Sequence, residues 1–145
     1  MGVTFNIINT FMIGYSLFHI DNVEMYNILW LQSPLFITGV TIFFIGMIIN
    51  IHSDNVIRHL RHPGDTKHYF PQKGMYKYVT SANYFGELLE WTGFAVLTQN
   101  EAAWIFVLWT FANLAPRAYA IRKRYIKEFG NEVVGNRKCI IPFIY

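Results

Sequence analysis

ILWLQSPLFITGVTIFFIGMII, residues 28–49, contains no charged side chain. At ~1.5 Å per residue, a helix of that length crosses a ~30 Å hydrocarbon core. This stretch is therefore the clearest membrane span in the chain. Pro34 near its start is compatible with a first helical turn. Gly39 and Gly46 suit close packing against a neighbouring helix.

Three further apolar stretches lie to either side. Residues 3–19 are mainly apolar but carry Asn6, Asn9 and Thr10. Residues 76–97 are less apolar and carry Asn83, Glu87 and Glu90. Residues 102–119 are apolar up to Leu114 and then meet Pro116 and Arg117. The expectation is an all-α, polytopic membrane bundle of about four transmembrane helices. It forms one domain over residues 1–145, with two of the spans in residues 1–49.

Composition agrees with this reading. The 145 residues are 53% hydrophobic and only 14% charged, against ~25% charged for an average soluble domain. Too few charges are present to cover a water-exposed surface. The single cysteine, Cys139, excludes an internal disulfide and any multi-cysteine metal centre.

All 12 Lys and Arg residues fall within 51–78 and 117–145. The short segments 20–27 and 98–101 carry Asp21, Glu24 and Glu101 but no basic residue. By the positive-inside rule the two basic segments are cytoplasmic, and four spans satisfy that arrangement. In a eukaryotic source the membrane would be the endoplasmic reticulum. Basic clusters flanking apolar runs report topology rather than nucleic-acid binding. The prolines and glycines of residues 62–75 mark a structured loop between the second and third spans.

Polar residues gather at the helix ends. Asn50, Asp54 and Arg61 fall on one face of a helix continuing out of the second span, with His52 and Ser53 pointing elsewhere. The plainer alternative is a solvated i,i+4 ion pair between Asp54 and Arg58. Asn83, Glu87 and Glu90 share a face inside an apolar segment, where a carboxylate costs at least ~2.5 kcal/mol at the helix centre. Arg117, at the cytoplasmic end of the fourth span, is the expected partner of that pair. Arg117 and Tyr125 share roughly one face if the last helix continues. Arg122, Lys123 and Arg124 also suit contact with anionic lipid.

Such a cluster can hold a phosphate-bearing ligand against an apolar cavity, since arginine offers a forked donor to phosphate. The chain has neither a GxGxxG nor a Walker A motif, so a dinucleotide would not be held in the Rossmann manner. His59 and His62 stand three apart, but Pro63 follows directly, and no metal site is expected.

Six ordered blocks carry a resemblance. They are Asn50-Ile-His-Ser-Asp54, Leu60-Arg61-His-Pro-Gly64, Gly74-Met-Tyr-Lys-Tyr78-Val, Ala82-Asn83-Tyr-Phe-Gly86-Glu87-Leu-Leu-Glu90-Trp91, Arg117-Ala118 and Ile141-Pro-Phe-Ile-Tyr145. From about Asn50 to the end, the chain resembles the C-terminal domain of the steroid 5α-reductases, the 3-oxo-5α-steroid 4-dehydrogenases. The resemblance implies a membrane enzyme of steroid or lipid metabolism. Such an enzyme transfers hydride from NADPH to the C=C bond of a Δ4-3-oxosteroid or similar lipid enone. It implies Asn50, Asp54, Arg61, Asn83, Glu87, Arg117 and Tyr125 as the cofactor-binding residues. Glu90 and Tyr78 stand in the same blocks.

Two departures qualify the resemblance. The family usually has a histidine four residues after the arginine of the last helical block, and here Ile121 stands there. The family's N-terminal helices carry a Glu/Tyr pair that polarises the substrate 3-oxo group, an electrostatic contribution to catalysis. Residues 1–49 offer no counterpart, so the catalytic residues are left unassigned and a missing N-terminal half is the expected partner. Two alternatives stand beside the reductase. One is an isoprenylcysteine-type membrane methyltransferase using S-adenosylmethionine, suggested by Gly74-Met-Tyr76. Its Arg-His-Pro triplet should follow that block, whereas Arg61-His-Pro63 precedes it. The other is a truncated, non-catalytic membrane subunit.

Overall fold

Ser33 and Pro34 set the start of the long apolar helix. The Ser33 hydroxyl accepts the Phe36 backbone N–H at 3.1 Å, and proline at the first helical position gives up a donor that would have no partner there. In the computed structural model, which describes residues 2–19, 26–60, 64–65 and 67–145, this helix runs over Pro34–Arg58. Residues 28–33 therefore lie outside the span expected at 28–49. They form a turn and a 3₁₀ segment, Trp30–Gln32. The helix in turn runs nine residues past Ile49, because nothing before His59 interrupts it.

The helices in chain order are α1 (Gly2–His19), α2 (Pro34–Arg58), α3 (Ala82–Thr98), α4 (Glu101–Phe129) and a short α5 (Asn131–Val134). The expected span at 76–97 begins later, at Ala82. Gly74–Lys77 form a 3₁₀ turn, and the next residues pair with the C-terminal tail instead of joining the helix. α3 stops at Gln99 in the left-handed conformation. Asn100 then caps α4 by accepting the Ala103 N–H, with Glu101 in the first turn. Pro116 lies inside α4 without ending it.

All-α architecture is as expected. Four crossings are not evident from the helices themselves. Among the described helices, α2 alone is long and apolar enough to cross a membrane. The apolar part of α1 is only Ile7–Phe18, and α3 is 17 residues long with two glutamates. Asp21, Glu24 and residues 61–63, Arg61 among them, lie outside the described residues.

α2 and α3 form the central antiparallel pair. Four glycines line their seam. A methyl on Gly46 would stand 2.6 Å from the Glu90 backbone nitrogen, and one on Gly86 would stand 2.5 Å from that of Asn50. Methyls on Gly39 and Gly93 would run into the backbone of Leu97 and Phe43. The four contacts share one antiparallel register and bring backbone against backbone. The outward faces are apolar instead of polar: Phe18, Ile48 and Leu108 are 78%, 63% and 70% exposed.

The tail closes the basic end. Residues 78–81 lie parallel to residues 138–139, with Lys138 N–H donating to the Tyr78 carbonyl at 3.0 Å and Thr80 N–H to the Lys138 carbonyl at 2.8 Å. Cys139 and Ile140 then bury against Leu114 and Ala118 of α4.

The seam predicts a contrast. Gly86→Ala should destabilise the protein by about 1–3 kcal/mol, the cost of overpacking. At Gly14 an added methyl meets nothing within 4 Å, and Gly14→Ala should be neutral or stabilising by up to ~1 kcal/mol. Thermal melting in detergent separates the two, and equal effects would refute a close-packed seam.

Candidate functional site

The seam sets the geometry of the polar residues. Where Gly86 admits the α2 backbone, Asn50 comes opposite α3, and its amide donates to Glu90 Oε1 at 2.9 Å. This bond joins the two polar faces that the sequence placed on separate helices. It gives a half-buried carboxylate a donor within an apolar helix pair. Glu90 is thereby engaged in holding the helices together.

Glu87, one turn before Glu90, lies in the combined field of Glu90, Arg117 and Asp54. Arg117 of α4 lies within electrostatic reach of Glu87, and the two do not close an ion pair. Asn83 lies in the first turn of α3, and the seam's register sets it opposite Ser53.

Asp54 lines a cavity of about 520 Å³ together with His52, Asn55 and Arg58. Two expectations change here. His52 faces the same cavity as Asp54 instead of pointing elsewhere. Asp54 and Arg58, four residues apart, do not close the ion pair that helix spacing permits; both are turned to the cavity. Ser53 is fully buried, and its hydroxyl has no partner among the described residues. The expected stripe of Asn50, Asp54 and Arg61 is described as far as Arg58 and Leu60.

Arg58 also borders a second cavity of about 400 Å³, lined by His68, Arg124, Tyr125 and Glu128 among others. Tyr125 reaches it because α4 continues past Pro116. Its ring packs edge-on to Phe70 at 5.0 Å, and burial pushes its phenol up, with Arg124 opposing. Arg124, His68 and Glu128 were not among the residues singled out for a ligand. His68 and Glu128 pair at 3.3 Å across elements 60 residues apart, a contact that periodicity cannot reveal. The His59 ring contacts the Asn55 carbonyl through Nδ1 at 2.8 Å as the helix ends, and His62 lies outside the described residues.

Arg137 holds the floor of this region. Its guanidinium donates to the carbonyls of Tyr76, Val133 and Val134 at 2.7–2.9 Å and lies over the Phe70 ring at 5.1 Å. Tyr76 is buried, and its hydroxyl has no hydrogen-bond partner among the described residues; the Asn83 backbone approaches it without reaching bonding geometry. Burial pushes this phenol well up, and Tyr125 and Asp54 add to the effect. A raised folded value means that the contribution to stability is complete below the unfolded value of ~10 and is lost as pH rises further. Tyr76→Phe should therefore cost little at neutral pH, within ~1 kcal/mol, since no bond is lost. It should also flatten the fall in melting temperature above about pH 10. An alkaline fall as steep as that of the wild type would assign the effect elsewhere.

The family model for 3-oxo-5-alpha-steroid 4-dehydrogenase matches residues 1–145. The 3-oxo-5-alpha-steroid 4-dehydrogenase 1 of Bos taurus is 44% identical over 115 residues, which are 79% of this chain and 44% of the relative. Its counterpart from Homo sapiens is 42% identical over 116 residues, 80% of this chain and 44% of the relative. A steroid 5-alpha-reductase of Arabidopsis thaliana is 38% identical over 146 residues, all of this chain and 55% of the relative. The chain thus spans about half the length of the curated relatives it matches. Between the two enzyme readings the match favours the reductase over the methyltransferase. With the family's model matched from the first residue to the last, the chain belongs to the 3-oxo-5-alpha-steroid 4-dehydrogenases, the steroid 5α-reductase family.

Proposed function

We propose that this chain is the cofactor-binding part of a membrane reductase that uses NADPH to reduce the C=C bond of a Δ4-3-oxosteroid or similar lipid enone. The observation that carries this is the meeting of α2, α3 and α4 at one end. There Asp54 and Arg58 line an open cavity, Glu87 shares a field with Arg117 and Asp54, and Tyr125 borders the adjoining space.

The donor set fits the cofactor. Asp54 and Glu87 would accept from ribose hydroxyls, and Asn50 and Asn83 would meet amide groups. Arg117 and Arg61 would face phosphate, and Tyr125 would close the outer side. When bound, NADPH supplies the hydride. The residues of this chain bind and orient it, and the apolar walls of α2 and α3 keep water from it. No catalytic residue is assigned to this chain; polarising the 3-oxo group would fall to the N-terminal half that the resemblance implies.

In the membrane, α1 to α4 act as four crossings, with the short or polar-bearing helices shielded by their neighbours. The loop and tail that carry the basic residues face the cytoplasm. The apolar outward faces of α1, α2 and α4 support this placement.

The test is NADPH binding to the purified chain in nanodiscs. The wild type should bind, and Asp54→Ala and Glu87→Gln should each weaken binding about tenfold or more, in line with the loss of a charge-assisted bond. Melting temperatures near that of the wild type would separate lost binding from lost folding. Absence of NADPH binding by a folded wild type would overturn the proposal.

A further inference from the structure

Two arginines at the basic end, Arg58 and Arg124, lack the partners that helix spacing offers them. Arg58 has Asp54 four residues before it on α2, and Arg124 has Glu128 four residues after it on α4. Opposite charges at that spacing ordinarily pair. Here Glu128 turns to His68, at 3.3 Å, and Asp54 faces the neighbouring cavity. Among the described residues neither guanidinium closes an ion pair. Instead both line the same cavity of about 400 Å³, with His68, Tyr125 and Glu128 on its walls. Two guanidiniums facing one space, whose single lining carboxylate, Glu128, is engaged by His68, make a receptor for a compact anion of more than one charge.

The position of this space identifies which anion. It adjoins the Asp54 cavity through Arg58, which borders both. Arg58 lies eight residues beyond Asn50, so at ~1.5 Å per residue it is about 12 Å further from the α2–α3 seam. A ligand lying along α2 thus places its outermost group here. Resting on the reading that the ligand is NADPH, we infer that Arg58 and Arg124 clamp its 2′-phosphate. They would then be the residues that select NADPH over NADH. A terminal phosphate monoester carries close to two negative charges at neutral pH, which suits two forked donors better than one. The pyrophosphate, nearer the middle of the ligand, is left to Arg117.

The chain in phosphatidylcholine nanodiscs, which present no anionic lipid, would be titrated with NADPH, NADH and 2′,5′-ADP. Wild type, Arg58→Gln, Arg124→Gln and Arg124→Lys would be compared. Each Gln variant should lose about tenfold or more in affinity for NADPH and 2′,5′-ADP, with NADH affinity held within about twofold. Arg124→Lys should recover part of the loss, since the charge remains and the fork does not. NADH serves as the control for folding. Equal weakening of NADPH and NADH would place the arginines on the pyrophosphate and overturn the inference. Unchanged NADPH preference, with Gln variants impaired only in binding phosphatidylserine vesicles, would overturn it in favour of a lipid headgroup. Either result leaves the NADPH reading intact. A folded wild type that binds no dinucleotide overturns that reading and this inference together.

Discussion

Everything in this protein hangs on the close approach of α2 to α3. Apolar helices gain little from the hydrophobic effect once lipid is the solvent, so van der Waals contact and shared hydrogen bonds must hold them. Gly39, Gly46, Gly86 and Gly93 remove the side chains that would keep the backbones apart. The approach then makes the Asn50–Glu90 hydrogen bond possible. That bond locks the sliding register of two helices whose flat, small-residue faces would otherwise permit several.

A second constraint shapes the basic end. The tail is tied back by Arg137, which bridges the 74–77 turn, the short α5 and the Phe70 ring. Arg122 of α4 in turn donates to the Arg137 carbonyl at 2.8 Å. A positive charge therefore serves as a structural knot, binding carbonyls at a place where no regular element can satisfy them. Phe70, Tyr125 and Phe129 gather on the same knot. Through Tyr125 the tail's packing is coupled to the wall of the candidate site.

The half-buried acids are held by geometry more than by ion pairs. Glu90 has an amide, Glu87 has only the field of Arg117, and Asp54 faces open space. Structural acids in an apolar setting are normally satisfied from within. Asp54 and Arg58, which face one cavity without closing an ion pair, keep their bonding capacity open. Glu90, which accepts the Asn50 amide, thus differs from Glu87, one turn away on α3, and from Asp54 on α2.

The sequence by itself determined the all-α class, the long apolar helix, the shared end of the two basic segments and the family. These follow from local composition and from ordered motifs, which need no knowledge of contacts. It also placed Asn83, Glu87 and Glu90 on one face, since helical period is a local property. Only the tertiary structure decided where α2 and α3 begin, because Ser33 capping and the pairing of residues 78–81 with the tail compete with helix extension. It alone separated the structural glutamate from its neighbours, opened the Asp54–Arg58 pair and brought His68 to Glu128. Those outcomes depend on partners distant in the chain, and which partner wins depends on how closely the glycine seam lets the backbones meet.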